Sequence, residues 1–375
     1  MSMPVEGPIR LLLIAPVKPG ETNGGAIVLA RHLCRDADLI LHAAEPDPPR
    51  GTLWQRLSKS RFSALANDLA EMQPFRAHAD DLATVREFAP HALVTLAHGG
   101  EYRRALGLAR ATGLPLLTFF HDHWPSMIRL TGWGRGVARR AFAKLARESA
   151  AALCVSQPMA EAIGNPPSAR VLLPIPGPGT QFAERSQAGR LTVAYSGNLF
   201  DYAPAMGAIA DLLLNDPAIA LTIRGPNPNW SVQQLARLTD AGIYQPPLAR
   251  ADYEAWMMAQ DAHLCALSFD PAMALRMRTS FPSKMLEMFR FGRPVVLWGP
   301  DHAAGVEWAR QHDAALVVAD PQPQALAAAL RRLAEDEALY RHYRDAARRA
   351  ADLTGHDRLQ TQFRQHLAQV LAARG

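Results

Sequence analysis

Three stretches of this 375-residue chain carry side chains whose types and spacing suit chemistry. The first reads Thr279-Ser280-Phe281-Pro282-Ser283-Lys284-Met285-Leu286-Glu287, followed by Gly292-Arg293-Pro294-Val295-Val296. Pro282 suits the first turn of a helix and Gly292 its C-terminal stop, so the segment reads as loop, short helix and buried strand. Ser283 and Lys284 fall at the helix start, where backbone donors, the dipole and an ammonium converge on phosphate. Glu287 lies one turn further in, where its carboxylate can accept hydrogen bonds from vicinal hydroxyls. A phosphate anchor and a hydroxyl anchor one turn apart suit a nucleoside diphosphate sugar.

The second stretch is Thr118-Phe119-Phe120-His121-Asp122-His123-Trp124-Pro125, at the C-terminal end of an expected strand. His121 and His123 flank an aspartate, as metal ligands can. Alternate residues of an extended chain point to opposite sides, however, and no third ligand is evident. That leaves a buried histidine bonded to a loop carbonyl, or a neutral imidazole that bonds a sugar hydroxyl. His98, before Gly99-Gly100, is a weaker candidate of the same kind. The third feature is a pair of glycine loops. Thr22-Asn23-Gly24-Gly25-Ala26 opens a helix, and Tyr195-Ser196-Gly197-Asn198-Leu199 ends a strand. Glycines let a ligand approach the backbone closely, although either loop alone also reads as an ordinary turn.

The elements that must position these residues follow from hydrophobic patterning. Ile9–Ala15 is a continuous apolar run of strand length, consistent with burial on both faces of a parallel sheet. Ala92–Ala97, Leu116–Phe120, Ala151–Val155 and Arg170–Leu173 are further strand candidates, with helical patterns such as Tyr102–Ala111 and Arg135–Ser149 between them. Pro174, Pro176, Gly177, Pro178 and Gly179 then break the pattern as a linker does. Strand–helix alternation restarts with Leu191–Ser196, Ala220–Arg224, His263–Leu267, Pro294–Trp298 and Ala315–Val318. Helices over 323–334, 337–350 and 358–373 close the chain. The expected fold class is α/β, two doubly wound Rossmann-like domains facing across a cleft, with ligands beyond the C-terminal ends of strands. The domains are expected at 1–175 and 180–355, with a C-terminal helix over 356–375 that packs back on the first.

The first of these stretches resembles the donor-binding signature of family-4 glycosyltransferases of the GT-B fold, P-S-K-x-x-E followed by G-x-P-V-V. The resemblance extends to Tyr195–Asn198, to Thr222-Ile223-Arg224-Gly225-Pro226, to Asn23-Gly24-Gly25 and to the H-D-x-W-P element, where His121 takes the motif histidine's place. It implies a retaining enzyme that moves a sugar from a nucleotide diphosphate sugar to a glycan, lipid-linked or other acceptor, as in bacterial surface polysaccharide synthesis, with no cofactor and no obligatory metal. His121 would face the donor sugar. Gly24, Gly25, Gly197, Asn198, Arg224, Arg278, Ser283, Lys284 and Glu287 would bind the donor, with Glu287 on its ribose. The sequence departs from the pattern twice. Thr279 stands where the family has a first glutamate, and Asp201 and Tyr202 stand near where it has an Arg and a Lys. Lys284, Arg276, Arg278 and Arg224 are the cations available to replace them. Rival readings are a nucleotide-sugar epimerase or sugar phosphorylase of the same fold, and a degenerate or non-catalytic sugar-binding protein.

Composition narrows the partners. Residues 1–175 carry 20 Lys+Arg against 15 Asp+Glu, whereas 176–375 carry 20 of each, so the whole excess of +5 lies in the first half. An anionic partner for that half would suit. Within it, the helix Trp133–Ser149 interleaves Arg135, Arg139, Arg140, Lys144 and Arg147 with Val137, Phe142 and Leu145. Such a helix either lies on anionic lipid at the inner membrane surface or packs its apolar side on the sheet. No aromatic-interleaved basic motif points to nucleic acid. No run approaches the roughly 20 apolar residues that span a bilayer, and Leu11–Ala15 is too short for a signal peptide. Cys34, Cys154 and Cys265 are scattered, as reduced core thiols are, and the expected location is cytoplasmic, with peripheral membrane contact as an option.

Overall fold

The structure is a computed structural model and describes residues 7–20, 24–33, 38–46, 51, 54, 56, 57, 59–182, 189–200 and 202–373. The chain divides into two compact units. One comprises residues 1–174, 279–281 and 359–375, and the other residues 175–278 and 282–358.

Each unit is built on a six-stranded sheet in which every pairing is parallel. In the first, β1 (Ile9–Ile14), β2 (Leu39–Ala43), β3 (Ala92–Leu96), β4 (Leu116–Phe120), β5 (Ala151–Cys154) and β6 (Ala169–Val171) lie in the order β2-β1-β3-β4-β5-β6. The continuous apolar run of β1 has a direct explanation in its period of two. Leu11 and Leu13 enter a core with Leu29, Phe119, Phe363 and Leu367, while Leu12 and Ile14 enter the opposite core with Tyr102, Leu106, Phe120 and Phe142. Both faces of the sheet are buried, and the polar side chains its central strands carry, Thr95 and Thr118, are each hydrogen-bonded, to the Ile14 carbonyl and to Ser149. Edge strand β2 alternates instead: Leu39 and Leu41 are buried, Ile40 and His42 exposed.

The second sheet comprises β7 (Leu191–Ser196), β8 (Ile219–Arg224), β9 (Tyr244–Gln245), β10 (Ala262–Ala266), β11 (Val295–Trp298) and β12 (Leu316–Val318), in the order β12-β11-β10-β7-β8-β9. Leu191, Val193 and Tyr195 share a core with Ile219, Leu221, Ile223, Val296 and Trp298, which again is one face of a period-two pattern. Strands β2 and β9 were not expected from the sequence. The first lacks a continuous apolar run because it is an edge, and the second is only two residues long.

The basic helix runs from Gly132 to Glu148 and is capped by the Thr131 hydroxyl, which accepts the Gly134 N–H at 3.1 Å. Its apolar residues Ala138, Phe142, Leu145 and Ala146 are buried, the last three in the core of the first unit. Of the two options open in the sequence, packing on the sheet is therefore what this apolar side does. Among the described residues no helix is long and apolar enough to cross a membrane.

Candidate functional site

Strand order locates the crevices. In the second sheet β7 sits between β8 and β10, so the chain leaves β7 towards one side and the next strands add on the other. Ligands of open α/β sheets bind at such a reversal, beyond the C-terminal ends of the strands. The loop there is Gly197-Asn198-Leu199. It is stitched to the end of β8 by Gly197 N–H to the Arg224 carbonyl (3.0 Å) and Leu199 N–H to the Pro226 carbonyl (3.1 Å). The approach is so close that a Cβ on Gly225 would overlap the carbonyl oxygen of Gly197. Asn198 shapes the turn: its Oδ1 accepts the Phe200 N–H (3.1 Å) and the Asn227 side-chain amide (3.3 Å).

The helix Ser283–Phe289 delivers the lysine. Met285 through Phe289 are buried, Ser283 is half-buried, and Lys284 alone opens to solvent. Its ammonium crosses over Gly197 and fills the space a Cβ would take there, 5.9 Å from the Tyr195 ring centroid. Among the described residues it meets no carboxylate. Burial of the ammonium end lowers its pKa from the ordinary lysine value, with the neighbouring Cys265 thiol opposing. Solvent access along the side chain works against that burial, and it favours the charged form. A cation with no carboxylate partner among the described residues, above a bare glycine at the strand reversal, is suited to receive an anion.

Glu287, on the same helix, is largely buried. One carboxylate oxygen accepts the Gly177 N–H at 2.8 Å and the other takes the Arg290 guanidinium. Arg290 also donates to the carbonyls of Pro178 and Gly179, so the ion pair fixes the Pro/Gly linker to the helix. Arg290 was not singled out in the sequence, although its i+3 spacing from Glu287 was a usable signal. Gly177 gave none, because its partner lies 110 residues away.

The other expected donor residues are dispersed. Arg224 turns to the Pro246 carbonyl (2.7 Å), to Gln245 and over the Trp256 ring, so its guanidinium is occupied within its own unit. Arg278 is exposed near the end of the helix Ala274–Thr279, and both it and Arg276 make contacts within the protein. Gly24 and Gly25 open the helix Gly24–His32, while Thr22 and Asn23 lie outside the described residues, as does Asp201. Thr279, which occupies the glutamate position, is buried, and its carbonyl accepts the Ser156 hydroxyl at 2.6 Å.

In the first sheet the reversal falls between β1 and β3, where a cavity of about 230 Å³ is lined by Pro16, Val17, Leu96, His98, Phe119 and His121, among others. The His121 ring stands 5.6 Å from that of Phe119 and 5.5 Å from that of His32. Among the described residues its buried Nε2 has no hydrogen-bond partner, and burial, with a smaller contribution from His98, pushes its pKa down to about 4. The imidazole is therefore neutral at physiological pH, with a nitrogen left to bond a hydroxyl. His123 points to the opposite core, edge-on to Phe142, as alternation along an extended chain requires. Asp122 accepts the Ser280 hydroxyl at 2.6 Å. Among the described residues no group of three or more His, Cys, Asp or Glu is arranged to hold a metal ion.

A wider groove of about 940 Å³ adjoins at His98 and carries Glu45, Asp80, Glu101 and Trp124 on its walls. Trp124 packs 4.2 Å from the His98 ring, and its indole N–H donates to Glu71 at 3.0 Å. Glu71 is buried and also accepts from Tyr102 and Arg103, each at 3.0 Å, so the indole is held from behind.

Solved structures share this architecture. The HepE protein of Anabaena, solved in complex with UDP and glucose, superposes with a TM-score of 0.64 at 16% identity, covering 96% of this chain and 99% of that one. Sucrose-phosphate synthase from Thermosynechococcus elongatus gives a TM-score of 0.68 at 13% identity, covering 98% and 100%. An α,α-trehalose-phosphate synthase (UDP-forming) from Burkholderia xenovorans, in complex with glucose-6-phosphate, gives 0.63 at 12% identity, covering 96% and 100%. The chain has the GT-B fold. No known protein family and no curated protein sequence matches it.

Proposed function

We propose that this GT-B protein is a retaining glycosyltransferase, which moves a sugar from a nucleotide diphosphate sugar to a glycan or lipid-linked acceptor. The observation that carries the proposal is the Lys284 ammonium above Gly197, at the strand reversal of the second unit and without a carboxylate partner among the described residues. A nucleoside diphosphate would supply the counter-charge to that ammonium. As the glycosidic bond breaks, negative charge grows on the departing diphosphate, and a fixed cation stabilises that charge more than it stabilises the bound donor. Lys284 thereby takes the part usually given to an Arg/Lys pair, since Arg224 is engaged elsewhere and Tyr202 stands near the expected cation positions. Gly197, Asn198 and Ser283 complete the phosphate surroundings, with Gly24, Gly25 and Arg278 as further donor contacts, and Glu287 accepts the ribose hydroxyls. His121, neutral by burial, accepts or donates a hydrogen bond at a hydroxyl of the transferred sugar and orients it. The first unit takes the acceptor. No metal or cofactor is assigned a role in these steps. The setting proposed is bacterial surface polysaccharide or glycoconjugate synthesis, at the cytoplasmic face of the membrane where lipid-linked acceptors are reached.

Two of the structural neighbours fit the donor class, one solved with UDP and glucose and the other a UDP-forming synthase. The test is product analysis with the nucleotide sugar that binds. Nucleoside diphosphate should appear only when an acceptor is supplied, with the sugar joined to it and its anomeric configuration kept. Release without an acceptor, together with an isomerised sugar, would indicate an epimerase. Binding without release under any condition would indicate a non-catalytic protein.

A further inference from the structure

The helix Ser63–Glu71 is built inside out. Its buried face carries Ser63, Asp68 and Glu71 beside Ala66, whereas Phe62, Leu65, Leu69 and Met72 are 49–55% exposed. Those four recur at i, i+3, i+7 and i+10, which is one continuous stripe along the helix. The inward carboxylates are fully committed. Asp68 accepts the Thr131 N–H (3.1 Å) and hydroxyl and lies against Gly134, where a Cβ would overlap it. Glu71 is held by Tyr102, Arg103 and Trp124. These contacts fix the helix with its apolar side out, so exposure of the stripe is a property of the fold.

The surroundings of the stripe are cationic and aromatic. Arg61 lies 4.9 Å over the Phe62 ring, Arg129 reaches the Ser63 hydroxyl (3.4 Å), and Lys59 precedes the helix. Trp133, 58% exposed, sits in the first turn of the helix Gly132–Glu148, the turn that Asp68 touches, and Arg135 and Arg139 are exposed beyond it. Among the described residues Lys59, Arg61, Arg129, Arg135 and Arg139 have no acidic partner. A continuous apolar stripe, with exposed tryptophan and arginine on the helix packed beside it and lysine and arginine that meet no acidic partner among the described residues, matches an interface between acyl chains and anionic headgroups.

We propose that this face docks on an anionic phospholipid bilayer, with Phe62, Leu65, Leu69 and Met72 entering the headgroup–acyl boundary and the surrounding arginines and Lys59 at the phosphates. The docking surface is thus not the apolar side of the basic helix, which is spent in the core, but the outer face of its neighbour. The inference goes beyond sugar transfer and does not depend on it.

Co-sedimentation of the full chain with vesicles tests it, using phosphatidylcholine alone or with about one-third phosphatidylglycerol. Binding is expected to the mixed vesicles only and to weaken with salt. The double substitution Leu65→Gln, Leu69→Gln should weaken binding at least tenfold while leaving the melting temperature unchanged, because both side chains are already exposed. Arg135→Gln and Arg139→Gln should each reduce it by about fivefold and flatten the salt dependence. Equal binding to both vesicle types, or undiminished binding by the double variant, would overturn the proposal. So would light scattering that shows a dimer which the double variant dissolves, since a second copy would then be the occupant. Nucleotide binding reads the transferase proposal separately, so failure of one leaves the other standing.

Discussion

Gly197→Ala separates two consequences that a substitution in a tight loop usually merges. The new methyl would occupy the position of the Lys284 ammonium, which is the far end of a flexible side chain and can swing aside. Folding stability should therefore fall by no more than about 1 kcal/mol, as for surface substitutions without a buried clash. The displaced ammonium, however, no longer stands where the diphosphate is held. Loss of a hydrogen bond to a charged group costs about 1.5–3 kcal/mol, or roughly 10- to 100-fold in affinity. Titration calorimetry with the nucleotide that binds best, beside urea unfolding, reads both numbers. The companion is Gly225→Ala, where the methyl meets the backbone carbonyl of Gly197, which cannot swing aside, so stability should drop by at least about 2 kcal/mol. Because Gly197 and Lys284 act through one contact, Gly197→Ala and Lys284→Met should be strongly non-additive in nucleotide affinity. Wild-type affinity in Gly197→Ala, or simple additivity with Lys284→Met, would refute the reasoning.

Further outcomes follow from the same geometry. Glu287→Ala should loosen the linker region as well as weaken binding, because it removes one of the two carboxylates that pair with the buried Arg290 and leaves only Glu254, at a cost of about 2–3 kcal/mol by denaturant titration. Glu287→Gln should retain more of that stability while still lowering nucleotide affinity, and equal affinity in a folded Gln variant would remove the ribose role. His121→Ala should reduce kcat far more than donor affinity, with equal losses in both arguing against a role in turnover. If His121 acts as a neutral imidazole with a pKa near 4, kcat should show no acid limb near pH 6.5, which a pH profile from 8 to 5 would reveal. His121 and His263 are both buried, with pKa values pushed to about 4. The unfolded chain takes up protons near pH 6.5 while the folded one does not until about 4. Stability should therefore be intact above 6.5 and fall as pH drops towards 4, by at most about 3 kcal/mol per histidine in urea unfolding.

The sequence carried the central strands plainly because their chemistry is redundant. In β1 and β4 both faces are buried, so Leu11–Ile14 is wholly apolar and Leu116–Phe120 is interrupted only by Thr118, whose hydroxyl is paired with that of Ser149. Edge strand β2 announces itself only through weak alternation, and β9 is too short to carry a pattern. The Pro282–Glu287 segment was legible as a helix start with Lys284 and Glu287 one turn apart. What it could not show was the tertiary use of each: Lys284 over Gly197, and Glu287 tied to Gly177 and Arg290. Arg224 shows another limit of sequence reading. Its place at a strand end suggested a phosphate contact, whereas Trp256 and the Pro246 carbonyl hold it. The inside-out helix was the least readable. Local patterning assigns leucines to the core and carboxylates to water, and only the distant Thr131, Tyr102, Arg103 and Trp124 reverse that assignment.

The central claim is that the Gly197–Lys284 corner holds a nucleoside diphosphate. Its most direct test is the melting temperature of the full chain with saturating UDP, GDP, ADP and TDP, beside the Lys284→Met variant. A ligand held only by the folded state raises the melting temperature, by an amount that grows with the logarithm of its concentration relative to Kd. The account predicts a clear rise with at least one nucleotide for the wild-type chain and a much smaller rise, or none, for Lys284→Met. No rise with any of the four, or an equal rise in the variant, would contradict it.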